Sequence, residues 1–278
     1  MGLLDGLRRR KWKARLDRHP RVEADHAAGL ERGMRDAVAA LLGRLPAPAT
    51  GRWFAGGYRL PDLLDRREVL GTAKWYVSSP DAAMVARLTE ALPDSIGLPG
   101  GFVEKLAGFP VRTFDGILIL WSAAPPLNLL LRVASTRLIR GGRVGVLALK
   151  DGTPEPTGPV MRRAVRQATG ATVKCRGVGN PESPAELRSW FHHAACGEAV
   201  CWLDGRNLVF ENGTEARLCL ESISGEAAFP EKLSGQELAR ARAAFDAMLE
   251  EECRGAGNAR GGAVLGYEFV GGLAVKGE

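Results

Sequence analysis

Phe114-Asp115-Gly116-Ile117-Leu118-Ile119-Leu120-Trp121 is apolar on both faces from Ile117 onward. A strand of that kind belongs inside a parallel sheet that is covered on both sides. Towards the C-terminus, Leu127 to Ile139 has helical spacing, Arg140-Gly141-Gly142-Arg143 is a tight turn, and Val144 to Leu149 is a second buried strand. Strand, helix and strand in that order make a parallel crossover.

The alternation continues on both sides. Towards the N-terminus, Gly51 to Gly57 predicts a strand that runs into a glycine turn. Leu60 to Leu70 predicts a helix, and Lys74 to Val77 a strand. Ser79-Pro80-Asp81 opens a helix to about Leu92, with Ser79 as its N-cap. Gly97 to Pro110 is rich in turns. The first 45 residues read as helical, with Val22, Leu30, Met34, Val38, Leu41 and Leu42 at helical spacing. Towards the C-terminus, Asp151 to Pro159 predicts a loop, Val160 to Thr169 a helix and Ala171 to Arg176 a strand. Ser183 and Glu186 form a capping box for a helix from Pro184 to Ala195. Glu198 to Leu203, Arg206 to Glu211 and Tyr267 to Val275 read as strands around a long helix from Leu233 to Cys253. The expectation is an α/β fold whose mostly parallel, mixed sheet has helices on both faces.

The 278 residues are 45% apolar and 25% charged, as in an ordinary globular chain. No apolar run approaches the roughly 18 residues of a membrane span. The start, Met1-Gly2-Leu3-Leu4-Asp5-Gly6, lacks the apolar core of a signal peptide. Five cysteines without CxxC spacing argue against a disulfide framework or structural zinc. His192-His193-x-x-Cys196 is read as a helix end in preference to a metal site. These features predict a soluble, cytoplasmic protein with no membrane partner.

The net charge is +6, and the cations cluster. One group is Arg8, Arg9, Arg10, Lys11, Lys13, Arg15, Arg18 and Arg21. The other is Arg137, Arg140, Arg143, Arg162, Arg163, Arg166, Lys174 and Arg176. Such groups suit acidic partners, or are solvated helix faces. Nucleic acid ranks low, because neither RRM-type aromatics nor a helix-turn-helix signal is present.

The pair of segments Phe114 to Leu120 and Leu138 to Val146 resembles the class I S-adenosylmethionine-dependent methyltransferases. In that family the fourth strand opens "FD" and the turn before the fifth reads "LxPGG", with Arg140 here at the proline. Tyr76 to Asp81 is similar to the end of its second strand, Pro184 to Gly197 to its "eLrxllexAGF" helix, and Tyr267 to Gly272 to its last strand. Asp17-Arg18-His19-Pro20-Arg21-Val22-Glu23 is similar to the "YDxHAxVQ" segment of one branch, the malonyl-acyl-carrier-protein O-methyltransferases of biotin synthesis. The resemblance implies a Rossmann-like domain over 46–278, a helical cap over 1–45, and S-adenosylmethionine as cofactor without a metal. An acyl carrier protein becomes a candidate among acidic protein partners.

The family's first strand ends in an acid and GxGxG, whose glycines let the backbone approach the cofactor. Here the acid falls at Ala55 and the glycines at Gly57, Arg59 and Pro61, with Gly56 beside them. The ribose-binding acid of the second strand is Ser78, which lacks a carboxylate's paired, charge-assisted bonds. Glu104 is a displaced substitute for the adenine-side acid. Losing two or three such bonds, at roughly 1.5–3 kcal/mol each, weakens binding by about a hundredfold to ten-thousandfold. His19 is the candidate catalytic residue, because in the family that segment covers the active site; its alternative is an exposed helix end. Trp121 follows the fourth strand, where it stacks on a ligand or packs in the core.

Two functions follow. The first is a pseudoenzyme that keeps the fold as a binding or regulatory module. The second is an active, divergent O-methyltransferase acting on a carrier-bound or small-molecule acid.

Overall fold

A computed structural model of the chain describes residues 20–23, 25–45, 49–92, 94–120, 126–151, 154–172, 179–224, 229, 233–255 and 262–277. Its strands are β1 (Arg21–Val22), β2 (Arg52–Gly57), β3 (Lys74–Ser79), β4 (Ile96–Pro99), β5 (Phe114–Leu120), β6 (Leu138–Leu149), β7 (Cys196–Phe210) and β8 (Ala263–Lys276). Its α-helices are α1 (His26–Leu42), α2 (Arg67–Leu70), α3 (Ala82–Ala91), α4 (Phe102–Ala107), α5 (Leu127–Arg137), α6 (Thr157–Thr169), α7 (Pro184–His193), α8 (Gly213–Ser224) and α9 (Gly235–Gly255). The strands form one mixed sheet, ordered β1-β7-β8-β6-β5-β2-β3-β4, with helices on both faces. β6 to β5, β5 to β2, β2 to β3 and β3 to β4 are parallel, and β8 runs antiparallel to β6. This is the expected α/β architecture.

Described residues fall into two compact units. One comprises those within Met34–Asp151, Val178–Asp204 and Phe269–Glu278. β5 is its centre: Ile117, Leu118, Ile119 and Leu120 are all fully buried, which requires apolar cover on both faces. One face carries an aromatic cluster. Phe54 meets the Phe102 and Phe114 rings edge-on at 5.2 and 5.5 Å, and Tyr76 meets Phe109 at 5.2 Å. Such pairs add about 0.5–1.5 kcal/mol each beyond their burial.

The other unit takes described residues from Met1–Gly33, Gly152–Gly177 and Gly205–Glu268. α6 packs on α9, with Val160, Ala164, Phe245 and Leu249 buried. Arg217 joins α8 to α9 through Asp246, at 2.9 Å.

Several local expectations are corrected. Gly97 to Pro110 is not simply turns; it holds most of β4 and all of α4, whose shortness hides their periodicity. The two strands expected after Glu198 are one, β7, because Asp204-Gly205 continues in extended form. Arg21–Val22 is not helical but pairs in parallel with Asn207 and Leu208. Asp81, not Ser79, caps α3, accepting the Met84 N–H at 3.0 Å; Ser79 Oγ instead accepts the Asp81 N–H. The Leu60 to Leu70 helix opens as a 3-10 turn over Leu60–Arg66. Ala171 and Thr172 are not in a strand, and the rest of that expected strand lies outside the described residues. The capping box holds, with Ser183 Oγ accepting the Glu186 N–H at 3.2 Å.

Candidate functional site

In open α/β sheets, ligands sit beyond the carboxyl ends of the strands. Here β2, β3 and β5 bring together most of the residues singled out from the sequence. Gly56 is in register with Ser78 on β3 and Ile119 on β5, and Ala55 with Val77 and Leu118. Glu104 stands apart, exposed in the first turn of α4. His19 and Trp121 lie outside the described residues.

Each residue at this edge has an internal partner. Ala55 is fully buried between its strand neighbours. A β-carbon on Gly56 would collide with the Phe102 ring. Gly57 has φ +131°, and a β-carbon there would collide with the Leu120 carbonyl oxygen, which also accepts the Tyr58 N–H at 3.0 Å. Both glycines are therefore accounted for by the protein's own packing. Ser78 is 0% exposed, and its Oγ donates to the Gly100 carbonyl at 3.2 Å. The Lys105 side chain lies against Gly100.

Sequence reasoning missed one feature here. Arg59, at the second expected glycine, pairs with Asp62 on the following 3-10 turn, Nη2 to Oδ2 at 2.7 Å and Nε to Oδ2 at 2.8 Å. The side chains are 14% and 6% exposed. A pair with so little solvent around it is held firmly, because breaking it strands a buried charge. The i,i+3 spacing in Arg59-Leu60-Pro61-Asp62 was the available signal. Nothing in the pattern pointed to Phe102.

Other chemistry is sparse. Among the described residues, no three histidine, cysteine or acidic side chains are grouped to hold a metal. Cys196, Cys201, Cys219 and Cys253 are free thiols. Burial pushes Cys201 up to about 11, against the pull of Arg188, and Cys253 up to about 12. Thiols so shifted stay protonated at neutral pH and are poor nucleophiles. No described helix is long and apolar enough to cross a membrane.

No family model matches the chain, and no curated protein matches it. Solved structures do. The YcgJ protein of Bacillus subtilis is 11% identical with a TM-score of 0.55, over 87% of this chain and 99% of its own. A protein of Bacillus halodurans C-125 assigned as a methyltransferase is 11% identical with a TM-score of 0.53, over 87% of this chain and 100% of its own. At that identity the likeness is one of fold, and the fold is the Rossmann-like one of class I methyltransferases.

Proposed function

We propose that this chain is a methyltransferase-fold binding protein, a pseudoenzyme that works in the cytoplasm through an acidic protein partner. The observation that carries the reading is the Arg59–Asp62 pair. It stands where a cofactor-binding chain needs a bare glycine backbone, and it fixes the turn after β2 from within. Ala55, Gly56, Gly57 and Ser78 are, in this reading, the former cofactor positions. Ala55 offers no side-chain polar group, the glycines serve Phe102 and Leu120, and the Ser78 hydroxyl serves Gly100. The nearby carboxylates are also committed, Asp62 to Arg59 and Asp81 to the cap of α3. These residues do not fit the contacts that S-adenosylmethionine makes in the family the sequence resembles. Free thiols suit a reducing compartment.

Calorimetric titration of the full chain with S-adenosylmethionine and S-adenosylhomocysteine tests this. The expected result is no heat and no change in melting temperature at about millimolar ligand, a floor near −4 kcal/mol of binding free energy. A dissociation constant in the micromolar range overturns it. The divergent O-methyltransferase then takes its place, with Glu104, Trp121 and His19 as residues to substitute and malonyl-carrier protein as the first acceptor to try.

A further inference from the structure

The opposite ends of the same strands look different. In a row across the strand starts stand Lys74 (β3), Arg52 (β2) and Asp115 (β5), with Arg143 (β6) one residue further in, opposite Gly116, and antiparallel β8 ends beside β6 at Lys276. Neighbouring strands lie about 4.8 Å apart, so this row spans about 19 Å. Arg52 and Lys74 are direct cross-strand neighbours, a like-charge arrangement that works against folding. Turns add to it. Arg140 is exposed in the irregular opening of β6, and Arg137 holds the Ala107 carbonyl at 2.8 Å. Arg112 sits at φ +56°, its N–H fixed to the Thr136 carbonyl at 3.2 Å, beside Val111, which is 65% exposed.

Five arginines thus cluster over β2, β5 and β6 against one carboxylate. That carboxylate, Asp115, accepts the Arg52 backbone N–H at 2.8 Å. Among the described residues, none of these cations is in an ion pair with a carboxylate. Other acids at this end include Asp94, which lines a surface hollow with Lys74, Glu68 on α2 and Glu198 on β7.

We propose that the amino end of the sheet, centred on Arg52, Arg112, Arg140 and Arg143, is the docking surface for an acidic protein. Arginine forks match carboxylates in pairs, and Val111 supplies an apolar contact that a protein surface can cover. Exposed aromatics, on which single-stranded nucleic acid stacks, are missing from the described residues of this end; exposed Tyr58 lies at the other end. The inference rests on the reading of the chain as a partner-binding protein and names the face it uses.

Fluorescence anisotropy of labelled poly-L-glutamate with the full chain tests it, with a labelled single-stranded RNA in parallel. Arg52→Glu/Arg140→Glu/Arg143→Glu is expected to weaken polyglutamate binding at least about tenfold at low salt. Arg162→Glu/Arg166→Glu/Arg240→Glu, three changes in the other unit, should change it less than about twofold. Arg140→Glu alone, at an exposed turn, should weaken it about threefold and covers the case in which the triple variant fails to fold. Equal losses in the two triple variants overturn the proposal, as does no binding of polyglutamate at low salt. RNA bound more tightly than polyglutamate through the same arginines overturns it in favour of nucleic acid. Titrating the wild type with S-adenosylmethionine separates the two claims: cofactor binding removes the pseudoenzyme reading and leaves the polyglutamate result standing.

Discussion

The carboxyl ends of β2, β3 and β5 are closed by the protein itself, whereas their amino ends present charge to solvent. At the first, Arg59 meets Asp62, Ser78 meets Gly100, and Phe102 covers Gly56. At the second, the Arg52 and Arg140 side chains are exposed and, among the described residues, in no ion pair with a carboxylate. Interaction energy at the closed end is already used within the chain. At the open end it is left available, at some cost to stability.

The largest effect is expected at Gly57. Gly57→Ala should lower stability by roughly 4 kcal/mol, combining left-handed backbone strain with collision against Leu120. Urea unfolding measures this, and a change below about 1 kcal/mol would mean that the strand end is loose enough to admit a ligand. Asp62→Asn comes next, at about 3 kcal/mol, because it removes the carboxylate that the nearly buried Arg59 guanidinium meets. An unaltered urea midpoint for Asp62→Asn would show that the pair does not hold the turn.

Cys253 on α9, in the other compact unit, shows what burial does to a titratable group. Its folded thiol is raised to about 12 from an ordinary 9.0. Above pH 9 the unfolded chain gives up this proton and the folded one keeps it. The folded state then binds more protons, so stability falls as pH rises from about 9 towards 12. At pH 10.5 the loss is roughly 2 kcal/mol. Cys253→Ala should flatten this limb in urea melts taken across that range, and an unchanged slope would refute the assignment to Cys253. The smallest effect belongs to the open end. Arg52→Gln should raise stability by about 0.5 kcal/mol at low salt and by less at high salt, as relief of repulsion from Lys74 requires. Destabilisation at both salt concentrations would mean that Arg52 has a stabilising partner and that the open end is not strained.

Much of the closed end was legible before the structure. The apolar run from Ile117 in β5 and the Gly56-Gly57 turn located the sheet's centre, and Ala55 and Ser78 stood out because their residue types lack a carboxylate. Phe102 was not legible, since α4 is only six residues long and shows no periodicity. The open end was half legible. Arg137, Arg140 and Arg143 are close in sequence, but Arg52 and Lys276 join them only through strand register and Arg112 through its bond to the Thr136 carbonyl. Arg162, Arg163 and Arg166, grouped with them by sequence, belong to the other compact unit.

By itself the sequence determined the order of the longer strands and helices, because burial on one or both faces leaves a period in the chain, while β1, β4 and α4 were too short to show one. It also determined which side chains were available at each strand end. Only the tertiary structure decided what those side chains do. That Ser78 meets the Gly100 carbonyl and that Arg52 lies between Lys74 and Asp115 depends on which strands become neighbours. That choice is made by packing between distant segments, and no local pattern records it.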